Sequence, residues 1–436
     1  MESTAQLAIA NMARPLGWFY LAVCAMNLLA AWRAGRTRPV SLRALAWLLL
    51  AALFGLLAAR SLMGSPPTVP EAIKILLDRV IGARSIWLGS LGLLLAVWLG
   101  RRWCVVPAVA WMALNASWLL LGASLTDPQF SALVLAPDSV PIVGMVYLLA
   151  FFLWSAMRQA VENDRREETL PPLQSQAPEK VLVWPDLVYI ELICMILVTA
   201  LLLLCARWFP TPLEQPANAA LTPNPAKAPW YFVGLQELLV YADAWLVGVV
   251  VPCAIVLGLM AIPYLDFNPQ KNGCYTIRRR RFATAAFLFG FLMLWVVPIL
   301  IGTFVRGPNW SDFGPYEVRD AGRLATVHGA TLSQWFWTGL LGRPLPQAGG
   351  AGWARLGQIV WRESASLAVL ASYFLILPAV LGGTVLRTFR CRMGRGRYAL
   401  MVVLLLLVVL LPLKMILRWS FDLSYLVSIP EWSLNL

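Results

Sequence analysis

Long apolar stretches, separated by short polar ones, recur along almost the whole chain. A membrane-spanning helix needs about 20 mainly apolar residues, and ten stretches approach that length. They run roughly over Leu16–Trp32, Leu42–Met63, Ser85–Gly100, Cys104–Leu125, Val140–Ala160, Pro185–Trp208, Ala244–Leu265, Phe282–Val305, Ser366–Leu386 and Tyr398–Leu417. Backbone polar groups inside lipid must pair within the protein, and stretches of this length do so as helices. The pattern therefore predicts an all-α, polytopic membrane helix bundle with about ten transmembrane helices.

Positive charges test this count, because cytoplasmic loops are enriched in Lys and Arg. Basic residues follow every odd-numbered stretch: Arg33, Arg36, Arg38 and Arg43; Arg101 and Arg102; Arg158, Arg165 and Arg166; Lys271 and Arg278 to Arg281; and Arg387, Arg390, Arg392, Arg395 and Arg397. Fewer cations follow the even-numbered stretches, where acids occur instead: Asp127, Asp138, Asp312, Glu317 and Asp320. Ten spans with both termini on the outer, periplasmic side satisfy this distribution throughout.

The composition agrees with an integral membrane protein. The chain has 436 residues, of which 60% are hydrophobic and 13% charged, with a mean hydropathy of +0.70. Soluble domains carry about 25% charged residues. The net charge of +13 follows from the basic inner loops and does not indicate nucleic-acid binding. We expect no cleavable signal peptide, because the first apolar stretch follows Arg14 directly, and we expect the bacterial inner membrane as the location.

Two polar segments divide the predicted bundle into parts. Residues 163–182 are charged and contain proline, which predicts an inner-side linker. Residues 306–365 are rich in Gly and Trp, which predicts an outer surface loop. The predicted organisation is a five-helix membrane domain at 1–162, the linker, a second membrane domain at 183–305, the outer loop, and two further helices with a tail at 366–436.

Few side chains in this sequence are suited to hold a metal or a nucleotide. The chain has one histidine, His328, in the predicted outer loop, and a single imidazole cannot hold a haem between two histidines. Its seven cysteines are scattered without metal-ligand or haem-attachment spacing. The sequence also lacks a P-loop. We therefore expect no metal site and interpret His328 as a surface residue.

Acids inside apolar stretches are stronger functional candidates, because a charge in the membrane is costly and usually functional. Asp186 and Glu191 begin the sixth stretch near the inner face, where they could serve an inner-side proton path. A simpler interpretation is that the helix dipole and headgroup water stabilise them. Glu237 lies on the outer side, after Trp230 and Tyr231, either as a functional acid or as an interfacial carboxylate that faces solvent.

Residues 183–303 carry an ordered set of short motifs. The set comprises Trp184-Pro185-Asp186-Leu187 with Tyr189-Ile190, Gln215-Pro216-Ala217-Asn218, Trp230-Tyr231-Phe232, Ile262-Pro263-Tyr264 before Asp266 and Asn268-Pro269, and Ala283-Thr284. In this order, and on these sides of the membrane, the motifs resemble the C-terminal half of cytochrome b, especially subunit IV of the chloroplast quinol complex. Trp230-Tyr231-Phe232 looks like the end of that family's Pro-Glu-Trp-Tyr signature.

The resemblance implies a membrane subunit of a respiratory quinol:cytochrome c oxidoreductase that is not active alone. In this family quinol is oxidised in a pocket under the signature loop, on the outer side, and protons leave to the outer face. The implied partners are a haem-binding cytochrome b N-terminal-type subunit, a Rieske iron–sulfur protein, a c-type cytochrome and membrane lipid, and the complex could be dimeric. Trp230, Phe232 and Pro229 would line the quinol pocket, with Tyr231 as a catalytic residue beside them.

The sequence departs from the family in two ways. Pro229 stands where the signature Glu belongs, so another residue must accept the quinol proton, and Glu237 is the nearest intramembrane candidate. A helix would turn Glu237 away from Tyr231, whereas a loop need not. The haem-binding half of cytochrome b has four helix histidines that this chain lacks, so b-type haems are expected on a partner chain. The first five spans are then an extra domain or a haem-free relic.

Three other functions stay open at this stage. The chain could be a structural subunit with a degenerate quinol site, a subunit of another quinone-linked complex, or a transporter. Transporters often contain paired broken helices near the membrane midplane, and no such pair is evident in the sequence. Near the end of the chain, Pro430-Glu431-Trp432 repeats part of the family signature, and we interpret it as a coincidence.

Overall fold

Helices dominate the computed structural model, which describes residues 2–37, 42–166, 182–208, 216, 218–220, 222–267, 275–324 and 329–436. In chain order they are α1 Glu2–Thr37, α2 Leu42–Leu62, α3 Glu71–Val80, α4 Ala83–Leu99, α5 Arg101–Cys104, α6 Pro107–Ser124, α7 Pro128–Val134, α8 Ser139–Arg166, α9 Val188–Trp208, α10 Trp230–Leu238, α11 Val251–Leu265, α12 Arg281–Leu288, α13 Val297–Leu300, α14 Leu332–Gln334, α15 Gly352–Arg362, α16 Ser364–Ala371, α17 Leu377–Gly383, α18 Arg387–Met393 and α19 Arg395–Phe421.

Other regular segments are short. Wider, π-helical turns extend or join several helices, at Val183–Leu187, Leu246–Val250, Phe289–Val296, Ile301–Val305, Trp335–Leu340 and Ser372–Ile376. Strand β1 (Ala330–Thr331) pairs in parallel with β2 (Leu423–Tyr425). Strand β3 (Ser428–Ile429) pairs antiparallel with β4 (Leu434–Asn435). These small sheets connect the C-terminal tail to itself and to the segment before α14.

By length and composition, eight of the described helical segments could cross a membrane, or up to ten if each of two bent pairs forms one span. The eight are Ala10–Arg36, Leu42–Leu62, Ser139–Arg166, Val183–Trp208, Leu246–Leu265, Arg281–Val305, Ser364–Gly383 and Arg395–Phe421. The bent pairs are α3 with α4, at 92°, and α6 with α7, at 117°. The predicted all-α bundle of about ten spans is therefore confirmed, and the bent pairs correspond to predicted spans three and four.

Local sequence explains the bend between α6 and α7. Asp127 caps α7, because its carboxylate accepts hydrogen bonds from the backbone N–H groups of Gln129 (2.9 Å) and Phe130 (3.2 Å). Pro128 follows at the first helical position, where proline is favoured. Lys74 of α3 donates a hydrogen bond to Asp127 at 2.7 Å, so the two bent segments lie against each other.

The fourth predicted span begins later than expected. Cys104 was its predicted first residue, but Arg101–Cys104 forms the separate short helix α5. Helix α6 begins instead at Pro107, because proline lacks the N–H that a helix interior requires and its φ suits a first helical position. The fourth span therefore starts three residues later than predicted, and the number of spans is unchanged.

Contacts between connecting segments identify which helix ends lie together. At one end the joined pairs are Asp78 with Tyr316 (2.8 Å), Ser124 with Tyr316 (2.8 Å), Glu237 with Arg306 (2.7 Å) and Asp243 with Asn435 (3.0 Å). Ser124 lies at the end of predicted span four, and the other residues follow predicted spans two, six, eight and ten, as alternation of the chain requires. At the other end Asn163 donates a hydrogen bond to the Tyr275 carbonyl at 3.0 Å. We call the first end the outer end, and its periplasmic orientation stays a prediction.

The largest buried cluster lies near the outer end. It joins α4 to the segments around α10 and to α19, through Ala83, Trp87, Leu238, Tyr241, Ala242, Val247, Met293, Val297, Ile301, Val305 and Met415. The Trp87 indole donates a hydrogen bond to the Met293 carbonyl at 3.2 Å. Predicted first and second membrane domains thus share one packed core, although the proposed boundaries between them stay a prediction.

Some predictions concern residues outside those that the structure describes. His328, Cys274, Asn268-Pro269 and most of the linker 163–182 belong to this group. Among the described residues, no group of His, Cys, Asp and Glu could hold a metal ion.

Candidate functional site

Helix α10 begins directly after the proline-rich stretch, and its two faces differ in burial. The buried face carries Val233, Gly234, Glu237 and Leu238. The other face carries Trp230, Tyr231 and Phe232, which are 40%, 45% and 51% exposed. Six residues of α-helix turn through about 600°, so Tyr231 and Glu237 point in different directions. The structure therefore separates the two residues that were predicted to act together.

The loop before α10 is held by a glutamine of the helix itself. Pro229 is extended (φ −50°, ψ 147°) and caps α10 without a side-chain hydrogen bond. The Gln236 side-chain oxygen accepts a hydrogen bond from the Ala228 N–H at 2.8 Å, and its NH₂ group donates to the Ala226 carbonyl at 2.8 Å. Both backbone groups of the incoming loop are thus satisfied, which fixes where the helix starts.

Two glycines let α10 lie close against the helical segment Arg281–Val305. A Cβ atom on Gly234 would come within 2.9 Å of Ile299, and one on Gly302 would clash with Val233. Real Cβ contacts are not this short, so neither position accepts a side chain without movement of the helices. This close approach places the buried face of α10 directly against the chain that leads to Arg306.

Glu237 is completely buried and bound by three donors. Arg306 donates through Nε to Oε2 at 2.8 Å and through Nη2 to Oε1 at 2.7 Å, a bidentate pair. The Trp310 indole donates to Oε2 at 3.0 Å. Arg306 also donates to the Trp310 carbonyl at 2.9 Å and lies 2.8 Å from Asp312. Each charge in this network has a partner, as buried charges require.

The hydrogen-bond pattern defines the charge state of this network. Burial raises the pKa of Glu237, and the charge and hydrogen bonds of Arg306 oppose the rise. Burial would lower the pKa of Arg306, but the Glu237 carboxylate raises it overall. The two Glu237 oxygens accept three hydrogen bonds from Arg306 and Trp310, and these bonds favour the ionised carboxylate. The pair is a carboxylate with a guanidinium.

A cavity of about 260 Å³ opens beside the exposed face of α10, at the outer end. It is lined by Gln129, Ala132, Leu133, Ala136, Asp138, Ser139, Ile142, Lys227, Ala228, Trp230, Val233, Thr303 and Arg319. Its walls therefore come from α7, α8 and α10, the end of the segment Arg281–Val305, and the outer loop. Ligand sites for drug-sized molecules usually measure ~300–1,000 Å³, so this cavity suits a single-ring group.

Two cations border this cavity. Lys227 donates a hydrogen bond to the Thr303 carbonyl at 2.8 Å. Arg319 donates to the carbonyls of Phe304 (2.7 Å) and Arg306 (3.2 Å). Burial, together with the charge of Arg319, lowers the pKa of Lys227 to about 8. Burial also lowers the pKa of Arg319.

Two further polar residues line the cavity. The Thr303 hydroxyl is buried and has no hydrogen-bond partner among the described residues. Such a group loses water without compensation, which usually indicates a missing water or ligand. Asp138 is exposed at the cavity wall, in the turn before α8. The cavity thus brings Thr303, Asp138 and Lys227 together beside Trp230.

The predicted site residues are only partly brought together. Trp230 lines the cavity, and Pro229 lies between Trp230 and the cavity residue Ala228. The rings of Tyr231 and Phe232 contact each other in a tilted arrangement, with centroids 4.7 Å apart, on the exposed face of α10. Glu237 lies behind the cavity wall, in the Arg306 network.

Sequence reasoning missed the cavity residues Lys227, Thr303 and Arg319, and the partner Arg306. One signal could have identified three of them. Lys227, Arg306 and Arg319 are cations on the predicted outer side, where the positive-inside rule expects few, although residues 306–365 carry six arginines in all. A cation that departs from this rule deserves a search for a nearby acid, and for Arg306 that acid is Glu237. The Thr303 hydroxyl gives no comparable signal, because isolated Thr residues are common in membrane helices.

The inner-side candidates lie apart from this cavity. Asp186 accepts a hydrogen bond from the Leu182 N–H at 3.3 Å, which makes it a local cap at the start of its helix. Glu191 is exposed on α9, and no residue of α9 is buried. A helix that is apolar on every side, as α9 is, normally contacts lipid or other helices all round. A role for either acid in proton movement stays a prediction.

The structure places this protein in the class of helical membrane bundles, with a polar cavity at the outer end. One comparison with known families narrows this class further. Residues 216–303 match the family described as cytochrome b(C-terminal)/b6/petD. The matched residues contain α10, Lys227 and Thr303, and they end three residues before Arg306. No solved structure matches the chain. The match supports a cytochrome b-type C-terminal domain in this part of the chain, and it indicates a membrane protein of quinol-linked electron transfer.

Proposed function

We propose that this protein is a membrane subunit of a respiratory quinol:cytochrome c oxidoreductase and forms part of its outer quinol-oxidation site. The observation that carries the proposal is the cavity beside α10, which combines the Trp230 ring with the unpartnered Thr303 hydroxyl in the matched residues. Quinol presents a flat ring with two hydroxyl groups, so it needs an aromatic wall and polar partners at the rim.

The cavity residues divide the binding task between them. Trp230 covers one side of the ring and excludes water. The Thr303 hydroxyl donates to or accepts from one quinol oxygen, and Lys227 supplies a second donor close by. Oxidation removes two electrons and two protons from quinol. The electrons leave to b-type haem and iron–sulfur groups on partner chains, and the protons leave through the outer opening of the cavity.

The sequence predicts Glu237 as the proton acceptor, and its surroundings set a condition on that role. A proton on Glu237 would remove the charge that Arg306 and Trp310 bind, so the network would weaken during turnover. Under the alternative role, Glu237 stays ionised and holds α10 in position beside the cavity. The two roles predict different behaviour of Glu237→Gln: loss of quinol oxidation for the acceptor, and loss of stability for the positioning residue.

Exposed apolar surface supports the proposed partners. No residue of α9 is buried, which suits packing against a separate haem-binding chain. On the outer face, α15 exposes Trp353 and Trp361, which are 87% and 62% exposed. The outer loop around α15 is our proposed docking surface for the Rieske protein and the c-type cytochrome. A structural subunit with a degenerate site and a transporter remain the competing functions.

Replacing Thr303 by Val tests the proposed function. Val has the same shape but no hydroxyl, so quinol should bind about 2- to 10-fold more weakly, the value of one hydrogen bond. Stability should not fall, because the hydroxyl has no partner in the protein. The measurement is titration of the purified assembly with decyl-benzoquinol, with Thr199→Val on α9 as the matched control.

Two results would contradict the proposal. One is an unchanged quinol affinity in both Thr303→Val and Trp230→Ala. The other is a purified assembly that contains no chain with b-type haem. A structural subunit predicts the first result together with normal assembly, and a transporter predicts the second.

A further inference from the structure

The cavity contains one carboxylate among its described lining residues, and it is not Glu237. Asp138 lies in the turn between α7 and α8, within the predicted five-helix domain that lies outside the family match. The turn is fixed by hydrogen bonds from the N–H groups of Ser139 (2.9 Å) and Val140 (3.1 Å) to the Ala136 carbonyl. The backbone at Asp138 is therefore a hydrogen-bonded turn at the cavity wall.

Asp138 has the two properties that a proton acceptor at this position needs. Among the described residues, no group donates a hydrogen bond to its carboxylate, so both oxygens are available. It is also exposed, so a proton taken from the cavity can pass to outer water. Glu237 has neither property, because it is fully buried and three donors already occupy its oxygens.

Two cations share the cavity with Asp138. Lys227 and Arg319 line the same cavity and are the charged groups that face it there. The attraction is mutual, because the Asp138 carboxylate opposes the fall in the pKa of Lys227. An ionised carboxylate next to a quinol hydroxyl can accept its proton as electrons leave.

We propose that Asp138 accepts a proton from quinol in this cavity, in place of the carboxylate that Pro229 replaces. The proposal rests on the proposed function. In this step one quinol O–H bond breaks, and its proton bonds to an Asp138 carboxylate oxygen. One electron leaves at the same time to an iron–sulfur acceptor on a partner chain. The neutral carboxyl group then returns the proton to water at the outer face.

This assignment gives the five-helix domain a role. Its helices carry no haem ligands, but α7 and α8 contribute part of the cavity wall and its carboxylate. The site would then be assembled from two parts of one chain: the cytochrome b-type part supplies the ring contacts, and the added part supplies the base.

The test compares Asp138→Asn, Asp138→Glu and Glu237→Gln in the purified assembly, with decyl-benzoquinol as the donor. A general base contributes about 10²–10⁴-fold to a rate, so Asp138→Asn should lower kcat at least 10²-fold while KM changes less than about 3-fold. Asp138→Glu should restore much of the rate. Asp320→Asn is the matched control, because Asp320 is exposed on the outer loop and does not line the cavity.

The outcomes separate this proposal from the proposed function. If Thr303→Val weakens quinol binding while Asp138→Asn turns over like the wild type, the site is correct and Asp138 is not its base. If Glu237→Gln alone then loses turnover while it stays as stable as the wild type, Glu237 is the acceptor. If neither Thr303→Val nor Trp230→Ala changes the affinity for quinol, the proposed function is wrong, and the proposal for Asp138 is wrong with it.

Discussion

Removing the Glu237 charge tests whether Arg306 anchors α10. In Glu237→Gln the side-chain shape is kept, but one oxygen becomes an NH₂ group that faces the guanidinium. Arg306 is only 8% exposed and would keep Asp312 as its one anionic partner in this network. Truncating one member of a buried ion pair destabilises a protein by about 3–5 kcal/mol. We expect a loss in this range, because a buried cation loses most of its compensation.

An exposed pair on the same loop provides the scale for comparison. Arg323 and Glu317 lie 2.7 Å apart, but their side chains are 45% and 39% exposed. Water screens such a pair, and its net value is about 0–1 kcal/mol. Glu317→Gln should therefore unfold almost like the wild type. Both substitutions change Glu to Gln, so the difference between their free energies of unfolding measures the effect of burial.

The free energy of unfolding is measured on the purified assembly in mixed detergent, with far-UV circular dichroism as the signal. Glu237→Leu combined with Arg306→Met should recover part of the loss, because both buried charges are then gone. Recovery should be incomplete, since the Trp310 indole loses its acceptor. If Glu237→Gln unfolds like Glu317→Gln, the anchoring role is wrong. If it is also stable but does not oxidise quinol, Glu237 is the proton acceptor.

Three further predictions concern other parts of the chain. Asn27 accepts a hydrogen bond from the Trp111 indole at 2.9 Å within the predicted first membrane domain. Asn27→Leu removes this acceptor and should lower the free energy of unfolding by about 1–3 kcal/mol. A stability equal to that of the wild type would contradict this prediction. The pKa of Lys227 is about 8, so the rate of its acylation, measured over a pH series, should reach half of its maximum near pH 8. A midpoint near 10.5, the ordinary value for lysine, would show that burial and Arg319 do not lower this pKa. The hydrogen bond from Arg362 lowers the pKa of Glu431 from 4.5 to about 2. Because the folded pKa is depressed, this pair should stabilise the tail fully above pH 4.5 and lose its effect as the pH falls towards about 2. Digestion by a carboxypeptidase active in acid should then accelerate on acidification, but not in Glu431→Gln.

The sequence predicted the membrane architecture well because apolar length and charge sidedness are properties of single segments. A stretch such as Arg395–Phe421 must span whatever its neighbours are, since lipid is its solvent. The bends at Gly82 and Asp127 were not predicted. The Asp127 cap and Pro128 are a local signal for the second bend, whereas α3 is held against the outer loop by the hydrogen bond between Asp78 and Tyr316.

The candidate site was less predictable because it depends on contacts between distant residues. Glu237 and Arg306 are 69 positions apart, and nothing local to either residue indicates the other. The helical state of α10 was also decisive. It turns Glu237 away from Tyr231, an alternative that the sequence left open because the proline-rich stretch before it suggested a loop. A motif in the sequence identified the correct region, but the side chains that face the cavity required the fold.

The two ends of the outer loop are anchored by the same chemistry, which bears on the tail motif Pro430-Glu431-Trp432. Arg306 begins the loop with a bidentate bond to Glu237, and Arg362, near its end, makes a bidentate bond to Glu431 at 2.7 and 2.9 Å. Arg362 is 6% exposed, so Glu431 serves as the counter-charge of a buried cation. The ion pair with Arg362 accounts for Glu431 without a quinol site at the tail motif. The loop that we propose as a docking surface is thus fixed at both ends, which lowers the entropy that a partner must remove when it binds.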